Sequence, residues 1–523
     1  MKIQFLALVA GSVAALVSAR ADYPSYAGAN GAFAGQANVA LMDDISQAKL
    51  VWESEEQRVG YGKTSTGGVS GEFGDLPPAG VASPIVADGA VILSYFSPSG
   101  DVVDAGFRER DKNRDATGQR YKVSADDVVL AIESKTGKTR WKFVAEGKGM
   151  SIPMGKREGW GITPAAANGR VFAIGTTGRV YALDLKSGKL LWESTVPRHA
   201  SLEEKKNTAL EKQAVVPTAT SNFDSIYGLL LVVGETLVAP DLSGGLIGFD
   251  CASGKVLWKT TERDGLTTSW NMPAPLRVGK NDYIATVNRT GRLRMIDVRD
   301  GKILWTHELR SLHLTHPVGL GDVLLVFESN PRITGADIGK QDQNNPALNY
   351  VGVLTAYRAT ETGPEKLWQL PGEIAHVLSL DAGPSRRVVA RDGLVYYLTN
   401  PEKTAETGGG GKKERMMHII EVATGKILKS EPFPFGQFHV WGDRVVGVSD
   451  IQHRPRKANP EIWQFYSADP KNFQKLGGGW HINGPTPVHT ATGGYELPLF
   501  DAFSDGFLFA RTVQGIRCYD LRR

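Results

Sequence analysis

Cysteine is nearly absent from this 523-residue sequence: Cys251 and Cys518 are its only thiols. They occupy comparable places in the third and the last copy of a sequence repeat. A closed ring of such copies would hold them apart, so both are expected to be free and buried. An excess of charge of one sign is also missing. Lys and Arg number 60 against 56 Asp and Glu, for a net charge of +4, and the basic residues are scattered. No run exists that could track a phosphate backbone, which argues against nucleic acid as a partner. Long hydrophobic runs are missing beyond the first residues, so no helical membrane span is expected. The single apolar run, Ile3 to Val17, follows Met1-Lys2 and leads into Ser18-Ala19-Arg20-Ala21. This is the form of a secretory signal cut near Ala21, with Ala19 as the second choice. No cysteine follows the run to take a lipid anchor. The expectation is an exported chain, periplasmic or secreted, without residues 1–21.

What the sequence does have is a repeat. Five times a hydrophobic strand turns through a glycine hairpin and ends on tryptophan. The clearest copies are Val129 to Trp141 around Thr136-Gly137, Val180 to Trp192 around Ser187-Gly188, and Leu246 to Trp258 around Ser253-Gly254. Arg294 to Trp305 follows, and Leu354 to Trp368 is a looser copy with a longer turn. Alternating apolar residues specify the strands, and Ser/Thr/Asp-Gly supplies the left-handed turn position. A further strand pair lies upstream of each hairpin, as in Thr163-Pro164 to Gly175. Four antiparallel strands per copy make a propeller blade, and such copies bury a core only by stacking.

Weaker copies continue to the end. Ile419 to Lys429 keeps the hairpin with Lys in place of Trp, and Trp463 to Phe473 loses the glycine turn. The last copy, Gly515 to Arg523, is half a hairpin. Its other half stands near the start, where Lys49-Leu50-Val51-Trp52-Glu53-Ser54 reads like Lys189-Leu190-Leu191-Trp192-Glu193-Ser194. The N-terminal strand is therefore expected to complete the last blade. Outer strands at Trp52, Trp141, Trp192, Trp258, Trp305, Trp368, Lys429 and near Phe473 give an all-β, eight-bladed propeller; seven blades is the fallback if 430–480 does not make a full blade. Closure leaves no long exposed sheet edge. Residues 22–47 form an N-terminal extension to the propeller at 48–523. Insertions break the spacing at 97–124, 197–223, 331–350 and 401–414, and such excursions often wall a binding site. The second opens on the capping box Ser201-Leu-Glu-Glu204, which predicts a short surface helix.

This repeat resembles the quinoprotein-like, or PQQ-like, eight-bladed propeller family, whose blade signature is Ala-x-Asp-x-x-Thr-Gly-x-x-x-Trp. The resemblance covers roughly residues 48 to 523, and Tyr23 to Gly31 looks like the start of exported bacterial members. It implies that each repeat tryptophan docks between neighbouring blades. For the quinone-dependent dehydrogenases among such proteins, it implies PQQ held between a tryptophan floor and a disulfide of adjacent cysteines, with a metal on Glu, Asn and Asp. This sequence has no adjacent cysteines and no Cys-x-x-Cys-His for an attached haem, which argues against PQQ. Fold alone does not assign function.

Three tryptophans off the repeat position stand out, Trp160, Trp270 and Trp480, each read as standing a few residues before an innermost strand. An aromatic face at a channel mouth can stack on a sugar or a planar cofactor, or simply plug the rim. His316, His376, His439 and His489 fall near inner-strand starts of consecutive blades, with His313 and His481 close by. Imidazoles converging on the axis could bind a divalent metal or serve as acid and base; the alternative is a set of unrelated channel residues. Asp111, Asn113 and Asp115 imitate the start of a calcium loop. Glycine is missing at its sixth position, however, and Lys122 stands where a bidentate Glu belongs, which favours a solvated charged insertion.

Three functions follow. The leading one is a non-catalytic propeller that binds an envelope protein or glycan at the mouth of its channel, with Trp160, Trp270, Trp480, His481 and Arg391 as contacts. The alternative is a carbohydrate-active lyase or hydrolase using the four histidines, with Arg391 or Lys156 to neutralise a uronate. A PQQ-dependent dehydrogenase is third.

Overall fold

Each repeat copy folds into strands buried on both faces, as in Val128-Val129-Leu130-Ala131-Ile132, where no residue exceeds 3% exposure. A strand covered on both sides by neighbouring sheets needs that composition. The computed structural model describes residues 23–25, 28, 34–35, 37–57, 59, 78, 80, 82–104, 122–150, 159–196, 225–240, 245–260, 273–287, 292–309, 317–329, 350–374, 376–378, 388–399, 415–448, 462–481, 501–512 and 515–523. The expected signal, the Ser201 capping box, Trp270, His313, His316, His489, Lys156, Asp111, Asn113 and Asp115 lie outside these.

Eight antiparallel sheets of four strands make the blades of a propeller. Blade 1 consists of Ile85–Ala87, Ala90–Asp104, Lys122–Glu133 and Thr139–Met150, from innermost to outermost. Blades 2 to 7 repeat that order, with innermost strands Ala165–Ala167, Leu231–Val233, Ala274–Val278, Val318–Leu320, Val388–Arg391 and Gln437–Trp441. Blade 7 is complete, so the ring has eight blades and not seven. Blade 8 takes three strands, Asp501–Ser504, Phe507–Arg511 and Ile516–Asp520, from the C-terminal region. Its outer strand is Lys49–Glu53, with Trp52 opposite Cys518. The ring closes as the sequence implies. Cys251 and Cys518 are free and buried.

The blades are stitched by one repeated hydrogen bond. In each blade the first residue after the third strand offers its carbonyl to the preceding blade. Trp52, Trp141, Trp192, Trp258, Trp305 and Trp368 donate their indole Nε1 to Ser134, Leu185, Cys251, Val298, Thr360 and Val422, at 2.7–3.0 Å. The turn glycine of the accepting blade lies against the same indole. Gly137, Gly188, Gly254, Gly301 and Gly425 have φ of 69–74°, and a Cβ on any of them would come within 2.5–2.7 Å of the docked ring. Glycine is therefore required twice, for the left-handed backbone and for the space.

The two remaining carbonyls have other donors. Blade 6 carries Lys429 in place of Trp, and the Tyr396 hydroxyl, from its second strand, donates to Ala468 at 2.7 Å. Into blade 8, the Met42 backbone N–H of the N-terminal extension donates to Leu521 at 2.9 Å. The extension thus fills the place of an eighth tryptophan. It is anchored by Arg444, which donates to Leu41 and Met42 and pairs with Asp43, and by Asp44, which accepts from Ser46 N and Gly478 N. Aromatic packing adds to both irregular interfaces: Phe433, Tyr466 and Phe473 between blades 6 and 7, and Trp441 stacked on Phe503 at 4.6 Å between blades 7 and 8.

Candidate functional site

Antiparallel order sorts the connections onto two ends of the propeller. First-to-second and third-to-fourth turns leave at one end, and the other connections leave at the opposite end. At the first end the turns are tight. Asp88-Gly89, Asn168-Gly169, Asp392-Gly393 and Asp505-Gly506 all have positive φ at both positions, as two-residue hairpin turns of the I′ kind require. All four insertions noted in the sequence depart from described strands at the second end. Those at 97–124, 331–350 and 401–414 join second to third strands of blades 1, 5 and 6, and 197–223 joins blade 2 to blade 3. Part of the first continues the sheet, with Pro98 opposite Ala125 and Asp104 opposite Lys122. Gly159–Thr163 and Ser225–Leu229 precede the innermost strands of blades 2 and 3 and pair with each other in parallel, with Trp160 opposite Ile226. This ribbon lies at the long-connection end and carries Trp160.

Other expected contacts are placed differently. Trp480 is not ahead of an innermost strand: it lies in the outermost strand of blade 7, Lys475–His481, opposite Trp463. It is buried edge-on against Trp463 and against Tyr519 of blade 8, and His481 ends the same strand. The misreading has a physical source, since blade 7 lacks the glycine turn that marks the outer strand elsewhere. Arg391 closes the innermost strand of blade 6 at the tight-turn end, not the mouth. Its guanidinium donates to the carbonyls of Gly35 and Gly442 at 3.1 and 2.6 Å and pairs with Asp392. His376 opens a short strand, His376–Leu378, that pairs with the third strand of blade 5 opposite Gly352; it is not in the innermost strand of blade 6. His439 is in an innermost strand, that of blade 7, but its ring is 2% exposed and stacks on Trp441 at 5.3 Å, on the side facing blade 8. Blade side chains face neighbouring blades, so a residue on the innermost strand need not point into the channel.

Polar groups that the repeat pattern hid are buried within the blades and where they meet. Asp127, in the third strand of blade 1, is 4% exposed. It accepts from Thr176 N at 2.9 Å, Thr176 Oγ1 at 3.0 Å and Tyr181 Oη at 3.0 Å, all of blade 2. Burial pushes its carboxyl above the ordinary 3.8, against the pull of these bonds. Gly175 admits it, for a Cβ there would lie 1.9 Å from Oδ2. The adjoining cavity, lined by Ser94, Tyr95 and Tyr181, encloses about 10 Å³, room for one water. Arg511 of blade 8 is fully buried and donates to the carbonyls of Ala82 and, at 2.9 Å, Val59. It thereby ties both ends of the connection from blade 8 to blade 1, and burial lowers its pKa to about 9. His418 of blade 6 bonds Ser430 at 2.8 Å and Thr399 at 3.2 Å, and burial lowers it to about 4. Each signal was present in sequence as a polar residue within an apolar strand, such as Asp127 ahead of Val128-Val129-Leu130.

Asp127 is satisfied by the adjoining blade, Arg511 by the connection from blade 8 to blade 1, and His418 by other strands of its own blade. Among the described residues no group of three or more His, Cys, Asp or Glu is placed to hold a metal ion. The disulfide that PQQ implies is not formed: Cys251 and Cys518 are free and belong to different blades. No helix of the described residues is long and apolar enough to cross a membrane.

Residues 116–269 match the family model described as outer membrane protein assembly factor BamB. A polyvinylalcohol dehydrogenase of Sphingopyxis sp. (strain 113P3) is 30% identical over 179 residues, 32% of this chain and 24% of that protein. BamB of Salmonella typhimurium is 23% identical over 355 residues, 57% of this chain and 82% of that protein. The match to the dehydrogenase thus spans about a quarter of its length. Among solved structures, quinohemoprotein alcohol dehydrogenase from Comamonas testosteroni aligns with 97% of this chain and 81% of its own, at 12% identity and a TM-score of 0.51, a likeness of fold. With eight four-stranded blades and docked repeat tryptophans, the chain is an eight-bladed β-propeller that is similar, over part of its length, to the BamB-type PQQ-like repeat proteins.

Proposed function

We propose that this chain is an exported, non-catalytic binding propeller whose ligand, a protein or glycan of the cell envelope, docks at the channel mouth on the long-connection end. The observation that carries this reading is the division of the two ends. The insertions belong to second-to-third and blade-to-blade connections, while the opposite end keeps two-residue turns between first and second strands and short hairpins between third and fourth. Elaborated connections on a rigid scaffold are where binding surfaces form. The Ile3–Val17 run supports export, and the assembly factors among the relatives are named for a role in assembling other proteins. Trp160 on the parallel ribbon is the aromatic contact we assign to this mouth, with Trp270 as its companion.

The test uses the purified mature chain, titrated calorimetrically with neutral and anionic oligosaccharides and with candidate envelope proteins. Binding that is lost when 401–414 is shortened to a two-residue turn, and kept when the tight turns are changed, supports the reading. Turnover of an oligosaccharide, abolished by His316→Ala or His489→Ala, would overturn it in favour of the carbohydrate-active alternative. Metal analysis run in parallel would find a stoichiometric ion only in the second case.

A further inference from the structure

The innermost strand of a blade has one edge paired within its sheet and one edge facing the channel, where unpaired N–H and C=O groups await partners. In three blades that edge is paired by the chain's own N-terminal segment. Tyr23 forms an antiparallel bridge to Val86 of blade 1, with N–H to O distances of 2.9 and 2.8 Å. The Pro24 carbonyl accepts from Ala166 N of blade 2 at 2.8 Å. Ala34–Gly35 adds a fifth, parallel strand to blade 7, opposite Val440 and Trp441, and Gly442 N donates to Gly35 O at 3.0 Å. Arg391 of blade 6 holds the same carbonyl. Between the two contact points the Ser25 hydroxyl and the Gly28 backbone close a turn, with Gly28 N to Ser25 O at 3.0 Å and Ser25 Oγ to Gly28 O at 2.7 Å. All these partners sit near the tight-turn ends of their strands.

We propose that the inner edges of blades 1, 2 and 7 form a binding site for an extended peptide at the tight-turn end of the channel, and that Tyr23-Pro24 and Ala34-Gly35 of this chain occupy it. Recognition is mainly through backbone, as in strand addition to an open sheet edge. Two side-chain features give it a sequence preference. Tyr23 is 4% exposed within the core shared by blades 8 and 1. Gly35 passes so close to the stacked Trp441 and Phe503 that a Cβ would lie 3.1 and 2.8 Å from them. Those two rings are parallel and packed on each other, so they cannot yield cheaply.

The test is amide hydrogen exchange at Val86, Ala166 and Gly442, the three strand-edge donors that the segment covers. A chain beginning at residue 37 should exchange these three at least about 100-fold faster than the full mature chain, while neighbouring strand amides stay protected. A synthetic peptide of residues 22–36 added in trans should restore protection, and a scrambled peptide or one carrying Gly35→Leu should not. If the shortened chain does not fold, Gly35→Leu in the full-length chain gives the same reading, with fast exchange confined to the three sites. Exchange equally slow without the segment, or restoration by the scrambled peptide, would overturn the proposal.

Discussion

Six of the eight blade interfaces are made alike and two are not. From blade 8 through blade 6, each interface rests on a docked indole, and in five of these six the turn glycine lies beneath it. The sixth, where Trp305 meets Thr360, uses a different turn, four residues between Ala359 and Pro364 and closed by Thr360 and Gly363. At the other two, a tyrosine hydroxyl and a backbone amide serve the same carbonyl position. The comparison separates two things that the repeat fuses: the carbonyl needs a donor, and the gap needs filling. Tryptophan meets both needs with one side chain. Elsewhere the needs are divided, the donor coming from Tyr396 or Met42 and the filling from aromatic clusters or the extension.

If that division is right, removing the indole should cost more than removing a separate donor. Trp258→Ala, which deletes both functions at once, should lower stability by roughly 3–5 kcal/mol, seen as a lower denaturation midpoint. Gly254→Ala should come next, at about 3 kcal/mol, combining left-handed backbone strain with overpacking against Trp192. Gly279→Ala is its control: Gly279 has a φ of 60° but nothing within 4 Å of a built Cβ. There the cost should be about 1 kcal/mol, from backbone strain alone. Equal losses at the two glycines would show that contact with the indole contributes nothing.

Acid probes blade 6 from the inside. His418 is held near 4 in the folded chain, below its ordinary 6.5. Its neutral form is favoured by folding, so its contribution is intact above about pH 6.5 and is lost as pH falls toward 4, by about 3 kcal/mol at most. His418→Gln should flatten that part of the pH–stability curve relative to the parent chain. The separate donor should matter less than the indole. Tyr396→Phe leaves the Ala468 carbonyl without its bond while the ring still packs, and should cost about 1–2 kcal/mol. A loss as large as that for Trp258→Ala would mean that the hydroxyl, not the aromatic cluster, holds blades 6 and 7 together.

The regular interfaces were legible in the sequence because both partners are coded locally and recur: a tryptophan at a fixed place and a glycine in the turn of the next copy. The irregular ones were not. Met42 acts through its main chain, which no side-chain pattern records, and Tyr396 donates from a different strand than the tryptophan it replaces. The candidate contacts fared unevenly for a related reason. Position along a strand can be counted from the repeat, which put Trp160 ahead of an innermost strand and His439 within one. Counting does not say which end of a strand is the mouth or which neighbour a side chain faces. Arg391 therefore proved to lie at the tight-turn end, and His439 against Trp441. Where the glycine turn is missing, as in blade 7, even the count failed, and Trp480 moved to an outer strand.

Blade 8 joins Lys49–Glu53 to Ile516–Asp520, strands from nearly opposite ends of the sequence, and this has a consequence for timing. Such a pairing has the longest loop to close and belongs among the slowest events of folding. During synthesis the strand at Lys49–Glu53 emerges early and must wait, unpaired, while seven blades are made after it. Its solvent-facing Leu50 and Val51, 48% and 47% exposed even in the finished ring, would be the most vulnerable apolar residues of the nascent chain. A holding factor acting on this stretch until the last hairpin arrives would raise the yield of closed rings without altering the stability of the product.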